Sequence, residues 1–429
     1  MLDPKLFRDA DSIAAARRRL ARRGGSSATL VDALAAAAEQ RRGEVTATDQ
    51  LKAELNAKSR LVGEKKRAGE DVTALLAELA QLSDRVKQAE QSLRAAEQRF
   101  EALLLEVPNL PADDCPDGDA SANQVVRSWG EPVPQEEWRL PHWEIGRRLG
   151  VLDLERGARL TGSGFPVYVG LGARLERSLI TWLLDLQARE NGYIEVSPPF
   201  LVNAETMTGT GQLPKFEDEL YAVPRDGLYL IPTAEVPVTN LHRDEILAAE
   251  RLPLRYCSYT PCFRREAGAH GADTRGILRV HQFDKVELVW FTRPEDSDQA
   301  LESLTAHAEL ALQRLGLAYR VVKLAAGDLG FSSHRTYDLE VWAPGVGKWL
   351  EVSSCSTFAD FQARRMNLRF RRSAGAKPEF VHTLNGSSLG LARVLIALLE
   401  NGLQPDGSVK LPGVLVPLMG VDRIEPSGA

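Results

Sequence analysis

The chain has 429 residues, enough for two or three domains, and at 44% hydrophobic and 26% charged it cannot be a disordered chain. A net charge of −6 excludes a uniformly basic nucleic-acid binder. The charge is uneven, however: residues 1–100 hold 19 Lys+Arg against 15 Asp+Glu, which leaves 34 against 44 for the rest.

The first ten residues carry Asp3, Lys5, Arg8 and Asp9 and no apolar stretch, so no signal peptide is expected. No apolar run approaches the roughly 20 residues of a membrane helix. Cys115, Cys257, Cys262 and Cys355 form no C-x-x-C pair and read as buried thiols of a reducing compartment rather than a zinc site. A cytoplasmic protein is expected.

Val72, Leu75, Leu79, Leu82, Val86, Ala89, Leu93, Ala96, Phe100 and Leu103 alternate three and four residues apart, an unbroken heptad seam. A weaker stripe runs through Leu30, Leu34, Thr48, Leu51, Leu55 and Val62. Gly63, Gly69 and the basic trio Lys65, Lys66 and Arg67 lie between the two stripes, so the spacing predicts antiparallel helices joined by a short turn. At 1.5 Å per residue the second helix is roughly 48 Å long, an arm expected to project from the body. Pro108, Pro111 and Pro116 end it in a linker composition. The expected boundary separates an N-terminal domain, 1–108, from a larger one, 109–429.

The larger part predicts a helix near Arg174–Glu190, a strand at Tyr193–Val196, strands near Leu254–Phe263 and Val280–Trp290, and a helix at Ser297–Leu315. Strands follow at Tyr319–Leu324, Tyr337–Trp342 and Lys348–Val352, then a helix over Leu389–Glu400 capped by Gly402. Strands with intervening helices point to the α+β class, an antiparallel sheet with helices against it.

Four segments carry candidate chemistry. The run from Thr260 to Gly276 is too long and too charged for a hairpin turn, and Arg264 emerges from a strand end as a permanent cation suited to phosphate or carboxylate. By itself it reads equally well as a solvated loop. Strand alternation then sets His281, Phe283, Lys285 and Glu287 on one face. Glu351, before Ser353 and Ser354, offers a hard oxygen for Mg²⁺ or an amine. Leu384–Leu389 reads as a polar turn leading into the helix that bears Arg393.

In their order, these segments resemble the bacterial-type seryl-tRNA synthetases, a family of class II aminoacyl-tRNA synthetases. Gly192–Pro199 is similar to the class II dimer-interface motif, Thr260–Glu287 to the second motif, and Asn385–Arg393 to the third. Ile231–Glu235 looks like a serine-pocket signature, and Tyr337–Trp342 through Asn367 also matches. The resemblance implies ATP-dependent activation of serine to seryl-adenylate, then transfer to serine tRNA, with selenocysteine tRNA left open as a second substrate. It implies ATP and Mg²⁺ as cofactors and a homodimer. For ATP it assigns Arg264 to the α-phosphate, Glu266 to the adenine amino group, Phe283 and Val280 to the adenine site, and Arg393 to the γ-phosphate. Glu351 and Ser354 would hold Mg²⁺ beside Val352 and Ser353. For serine it assigns Thr233 and Glu235 to the amine, Ala234 to the pocket between them, Arg264 to the carboxylate, and Glu287 and Ser387 to the hydroxyl, with Asn385 supporting. Lys65, Lys66 and Arg67 would contact tRNA phosphates, and no zinc site is implied.

The chain departs from the family pattern at Ala272, Arg265, Gly164 and Ser388, where a basic residue, Ser, Arg and Gly are common. Those departures keep two alternatives in view: a paralogue in a specialised pathway and a non-catalytic RNA-binding dimer.

Overall fold

The computed structural model describes residues 1–25, 27–267 and 275–426; Ala272 therefore lies outside the described residues. The chain divides into two units, Met1–Leu110 and Pro111–Ala429. No described helix is long and apolar enough to cross a membrane.

The first unit is helical: α1 (Ala10–Ala21), α2 (Ser27–Arg67) and α3 (Thr73–Glu106). Every position of the heptad seam on α3 is buried or half-buried, and so is the weaker stripe on α2. Arg41–Glu97 (3.5 Å), Lys52–Glu90 (2.8 Å) and Lys58–Glu78 (2.9 Å) bridge the two helices. One partner number climbs as the other falls, so the helices run antiparallel. These pairs are solvated and contribute little beyond register; the apolar seam supplies the stability. The turn lies later than the sequence suggests. Gly63 stays inside α2, and Gly69 (φ +77°) makes the reversal. Glu70 N–H donates to Lys65 O and Gly69 N–H to Lys66 O, a Schellman closure that only a left-handed residue completes without strain. Lys65, Lys66 and Arg67 thus form the last turn of α2.

The second unit is built on an eight-stranded sheet. Its strands are β1 (Gln124–Trp129), β2 (Ile194–Glu195), β3 (Leu254–Phe263), β4 (Gln282–Thr292), β5 (Tyr319–Lys323), β6 (Arg335–Ala343), β7 (Lys348–Thr357) and β8 (His382–Gly390). The order is β1-β5-β6-β7-β8-β4-β3-β2, antiparallel except for the β2–β3 pair. Four helices matter here: α4 (His142–Arg148), α5 (Leu171–Asp185), α6 (Ser297–Leu315) and α7 (Leu391–Gly402). Alternation along β4 divides the unit. Val286, Leu288 and Trp290 join the main core with Leu179 of α5, Leu301 of α6 and Leu395 of α7. Val289 and Phe291 join a smaller core with Ala234 and Val238.

Two expectations are corrected. Leu384–Leu389 is not a turn at a helix N-terminus but the body of β8. Asn385 and Ser387 point one way and Gly386 the other. A Cβ at Gly386 would lie 2.3 Å from Leu304 and 2.8 Å from Cys355 Sγ, so the strand meets α6 without a side chain. The last helix accordingly starts at Leu391, and Gly402 is its final residue rather than a cap beyond it. At Gly402 a Cβ would come within 2.5 Å of Lys410 O. In addition, the helix near Arg174–Glu190 ends in a π-type turn over Leu186–Glu190.

Thr48 is 1% exposed on the α2 seam, and its Oγ1 has no hydrogen-bond partner among the described residues. Burying an unpaired hydroxyl costs about 1–3 kcal/mol. Thr48→Val should therefore raise the urea midpoint of the helical unit followed by far-UV circular dichroism, a gain of about 1 kcal/mol in unfolding free energy. An unchanged or lower midpoint would show that the hydroxyl is satisfied.

Candidate active site

Sheet register assembles the site. β3 pairs with β4 so that Lys285 faces Thr260 and Gln282 faces Phe263. Arg264 leaves the end of β3, held by its N–H to His281 O at 2.8 Å. β4 pairs with β8 so that Glu287 faces Ser387, and β8 pairs with β7 so that Asn385 faces Ser356. These four neighbouring strands present their polar alternate residues to one cavity of about 530 Å³.

One end of the cavity is carboxylate-rich. Glu287 is 0% exposed and accepts from Lys285 Nζ (2.5 Å), Asn385 Nδ2 (2.8 Å) and Ser387 Oγ (3.3 Å). Glu235, at the start of the short helix Glu235–Thr239, accepts from Gln362 Nε2 (2.6 Å) and Asn385 Nδ2 (3.1 Å). Lys285 also donates to Thr233 Oγ1 at 2.8 Å. Burial, then the neighbouring Glu287 charge, push the Glu235 carboxyl from 4.5 up to about 7. An ammonium group entering here would meet the Glu235 carboxylate, and a small hydroxyl would meet Ser387 and Asn385, both bonded to the Glu287 carboxylate behind them.

Arginines line the same cavity. The Arg264 guanidinium lies 5.2 Å from the Phe283 ring centre and donates from Nε to Pro232 O at 3.3 Å. Arg393, from α7, donates to Leu278 O (3.2 Å) and to Glu351 O (2.9 Å), with its Nη1 3.5 Å from the Glu351 carboxylate. Glu266, at φ +50°, pairs with Arg279 at 2.5 Å. Val280, Glu351, Val352, Ser353 and Ser354 line the same wall. The Ser353 hydroxyl is turned inward, donating to Ser387 O at 2.5 Å.

The structure brings together on the cavity wall every residue expected for ATP. It brings Thr233, Glu235, Asn385 and Ser387 there as well. Ala234 is 0% exposed in the smaller core, and Glu287 lies one layer behind the wall, reached through Asn385, Ser387 and Lys285. Reading the sequence overlooked three partners: Lys285, Gln362 and Arg279. The strand period put Lys285 beside Glu287, the one available signal. Gln362 and Arg279 reach their glutamates from elsewhere in the chain, with no local pattern to mark them.

The three departures among the described residues, Ser388, Arg265 and Gly164, fall around the site rather than in it. The Ser388 hydroxyl is 0% exposed and accepts from Gln187 Nε2 at 2.8 Å. Arg265 donates to Asp218 O at 3.0 Å, so its guanidinium is engaged within its own chain. Gly164 has φ +83°, and a Cβ there would stand 2.5 Å from the His281 ring.

Glu235 makes stability depend on pH. In the folded chain it keeps its proton up to about pH 7, whereas the unfolded chain loses it near 4.5. Stability from this group therefore falls as pH rises from 4.5 to about 7, and is level above that. Glu235→Gln, which mimics the protonated form, should gain melting temperature relative to the parent across this window and hold a constant advantage above it. A pH-independent difference would show that Glu235 titrates normally.

Residues 1–111 match the seryl-tRNA synthetase N-terminal domain, and residues 215–402 match the class II tRNA synthetase core domain (G, H, P, S and T). The chain is 52% identical over 420 residues to the serine–tRNA ligase of Gemmatimonas aurantiaca, covering 98% of this chain and 99% of that one. It is 51% identical over 430 residues to that of Akkermansia muciniphila, covering 100% of both. The crystal structure of the Pyrococcus horikoshii seryl-tRNA synthetase complexed with ATP superposes with a TM-score of 0.94 at 35% identity, covering 100% of both chains. With this agreement along its whole length, the chain belongs to the seryl-tRNA synthetase family of class II aminoacyl-tRNA synthetases.

Proposed function

We propose that this chain is a serine–tRNA ligase that makes seryl-adenylate and transfers the seryl group to serine tRNA. The serine carboxylate attacks the α-phosphorus of ATP and pyrophosphate leaves. A hydroxyl of the terminal ribose then attacks the acyl carbon and AMP leaves. One observation carries the reading. A single cavity is lined by two arginines from different elements and by Glu235, with the Glu287 carboxylate held directly behind Asn385 and Ser387.

Each residue has a role that its chemistry supports. Arg264 bridges the α-phosphate and the serine carboxylate, and Phe283 stacks on adenine with Val280 beside it. Glu266, whose Oε2 is held by Arg279, faces the adenine amino group. Arg393 holds the γ-phosphate. Permanent cations on both sides of the departing pyrophosphate stabilise charge that grows in the transition state. Thr233 and Glu235 form the amine side, with Ala234 backing them from the smaller core, and Glu287, Ser387 and Asn385 form the hydroxyl side. Alanine carries no hydroxyl to join the Glu287–Ser387–Asn385 network, so the site rejects it far more strongly than its size difference alone would allow.

The donor set also suits Mg²⁺. Among the described residues, no cluster of three or more His, Cys, Asp or Glu holds a metal alone, whereas Glu351 and Ser354 offer hard oxygens at the phosphate end. Mg²⁺ typically takes one or two carboxylates and completes its shell with phosphate and water, and it would neutralise phosphate charge there. Asp338 faces Ser354 across the β6–β7 pair, its carboxyl pushed well up by burial and then by the Glu351 charge.

Lys65, Lys66 and Arg67, at the end of α2, suit the phosphates of the tRNA, read by shape and backbone. The 1–108 region is thus assigned to tRNA and 109–429 to catalysis. We further assign a homodimer acting in the cytoplasm, with selenocysteine tRNA open as a second substrate.

The test is ATP–pyrophosphate exchange with purified chain. It should require serine, proceed negligibly with alanine, and fall about 10²- to 10³-fold in Arg264→Ala. Exchange independent of the amino acid, or near-normal exchange in that variant, would overturn the reading. Reversing the trio (Lys65→Glu, Lys66→Glu, Arg67→Glu) should lower charging of serine tRNA about tenfold or more while leaving exchange within about twofold. Equal loss of both would mean that the trio acts through the fold.

A further inference from the structure

Away from the cavity wall, the carboxylate of Glu400 is fully enclosed near the C-terminal end of α7. Four N–H groups meet it. Oε1 accepts from the His142 backbone N–H and from His142 Nδ1, each at 2.9 Å. Oε2 accepts from the backbone N–H groups of Gly345 (2.8 Å) and Val346 (3.1 Å). One buried anion thus ties the start of α4 and the β6–β7 turn to α7.

The imidazole of His142, also 0% exposed, extends this chain of bonds. Ile277 N–H donates to its Nε2 at 3.1 Å. A nitrogen that accepts carries no proton, so the single ring proton sits on Nδ1 and points at Glu400. Glu400 selects the tautomer, and the tautomer supplies the acceptor. The approach is tight: at Gly276 (φ +70°) a Cβ would stand 2.1 Å from Nε2. One residue beyond Ile277, the Leu278 carbonyl accepts from Arg393 Nε at 3.2 Å. Arg393 and Glu400 lie seven residues apart on α7, two turns along one face. The Ile277–Leu278 backbone is therefore held twice by the same helix, directly at Leu278 and through His142 at Ile277.

We propose that His142 is a positioning residue for the nucleotide: its Nε2 fixes the Ile277–Leu278 backbone and, with it, the carbonyl that aims Arg393 into the cavity. This rests on the assignment of Arg393 to the triphosphate. It adds a residue that touches no substrate.

Two substitutions separate this role from packing. His142→Asn keeps a donor for Glu400 and removes the Nε2 acceptor; His142→Gln sets an acceptor near the Nε2 position. Full-length protein is titrated calorimetrically with Mg²⁺–ATP and assayed for KM in serine-dependent exchange. His142→Asn should raise the ATP Kd and KM about tenfold, the loss of one buried hydrogen bond, with the serine KM within about twofold. His142→Gln should restore ATP affinity to within about threefold. If the Asn variant does not fold, Glu400→Gln carries the same test, with an ATP-specific rise expected. Equal ATP affinities in the Asn and Gln variants, or ATP and serine constants rising together, overturn the proposal. A parent chain that binds no Mg²⁺–ATP in the same titration overturns the function itself, and this role with it.

Discussion

The second unit turns on the burial of two carboxylates, Glu235 and Glu287, in one pocket. An ionised carboxylate without partners in a dry interior is prohibitive. Here the compensation comes from several strands and a helix at once: Lys285 from β4, Asn385 and Ser387 from β8, and Gln362 from the short helix Phe361–Arg365. Slipping β4 against β8 by one residue would reverse every side chain and strand the charges against the main core. The charge pair therefore polices the register that the cavity needs. The Glu235 carboxyl is still pushed up to about 7, because its burial and then its neighbour's charge outweigh Gln362, Lys285 and Arg264.

From that register the rest of the cavity follows. β3 ends where Arg264 must leave it, and β8 ends where α7 begins, so the two arginines approach from different elements with the pocket between them. Each arginine is braced by backbone carbonyls: Pro232 O for Arg264, and Leu278 O and Glu351 O for Arg393. Neutral acceptors orient a guanidinium without cancelling its charge; only Arg393 also has a carboxylate, Glu351, at 3.5 Å. The enclosed Glu400–His142 pair applies the same economy one layer further out, fixing backbone rather than touching ligand.

Much of this was legible in the chain. The heptad seam on α3 predicted its buried face position by position, because a 3.5-residue repeat admits one solution. Strand alternation put Phe283, Lys285 and Glu287 on one face, and it did not need the partner strands to do so. Other features were illegible for a physical reason. Asn385–Gly–Ser reads locally as a turn, since Asn, Gly and Ser favour turns; its place in a central strand depends on Gly386 lying against Leu304 and Cys355, both distant in sequence. Likewise Gly63 reads as a breaker, yet helix packing overrides a penalty of about 1 kcal/mol.

The chain alone determined which residues could alternate, which helices would pair, and which charged side chains existed to bind phosphate or an amine, because periodicity and functional groups are properties of neighbours in sequence. Only the tertiary structure decided that Lys285 neutralises Glu287, that Gln362 reaches Glu235, and that His142 links Glu400 to the backbone beside Arg393. Those pairs are 127 and 258 residues apart for Gln362–Glu235 and His142–Glu400. No local rule connects such distances; the strand register and the helix axis bring them within hydrogen-bond reach.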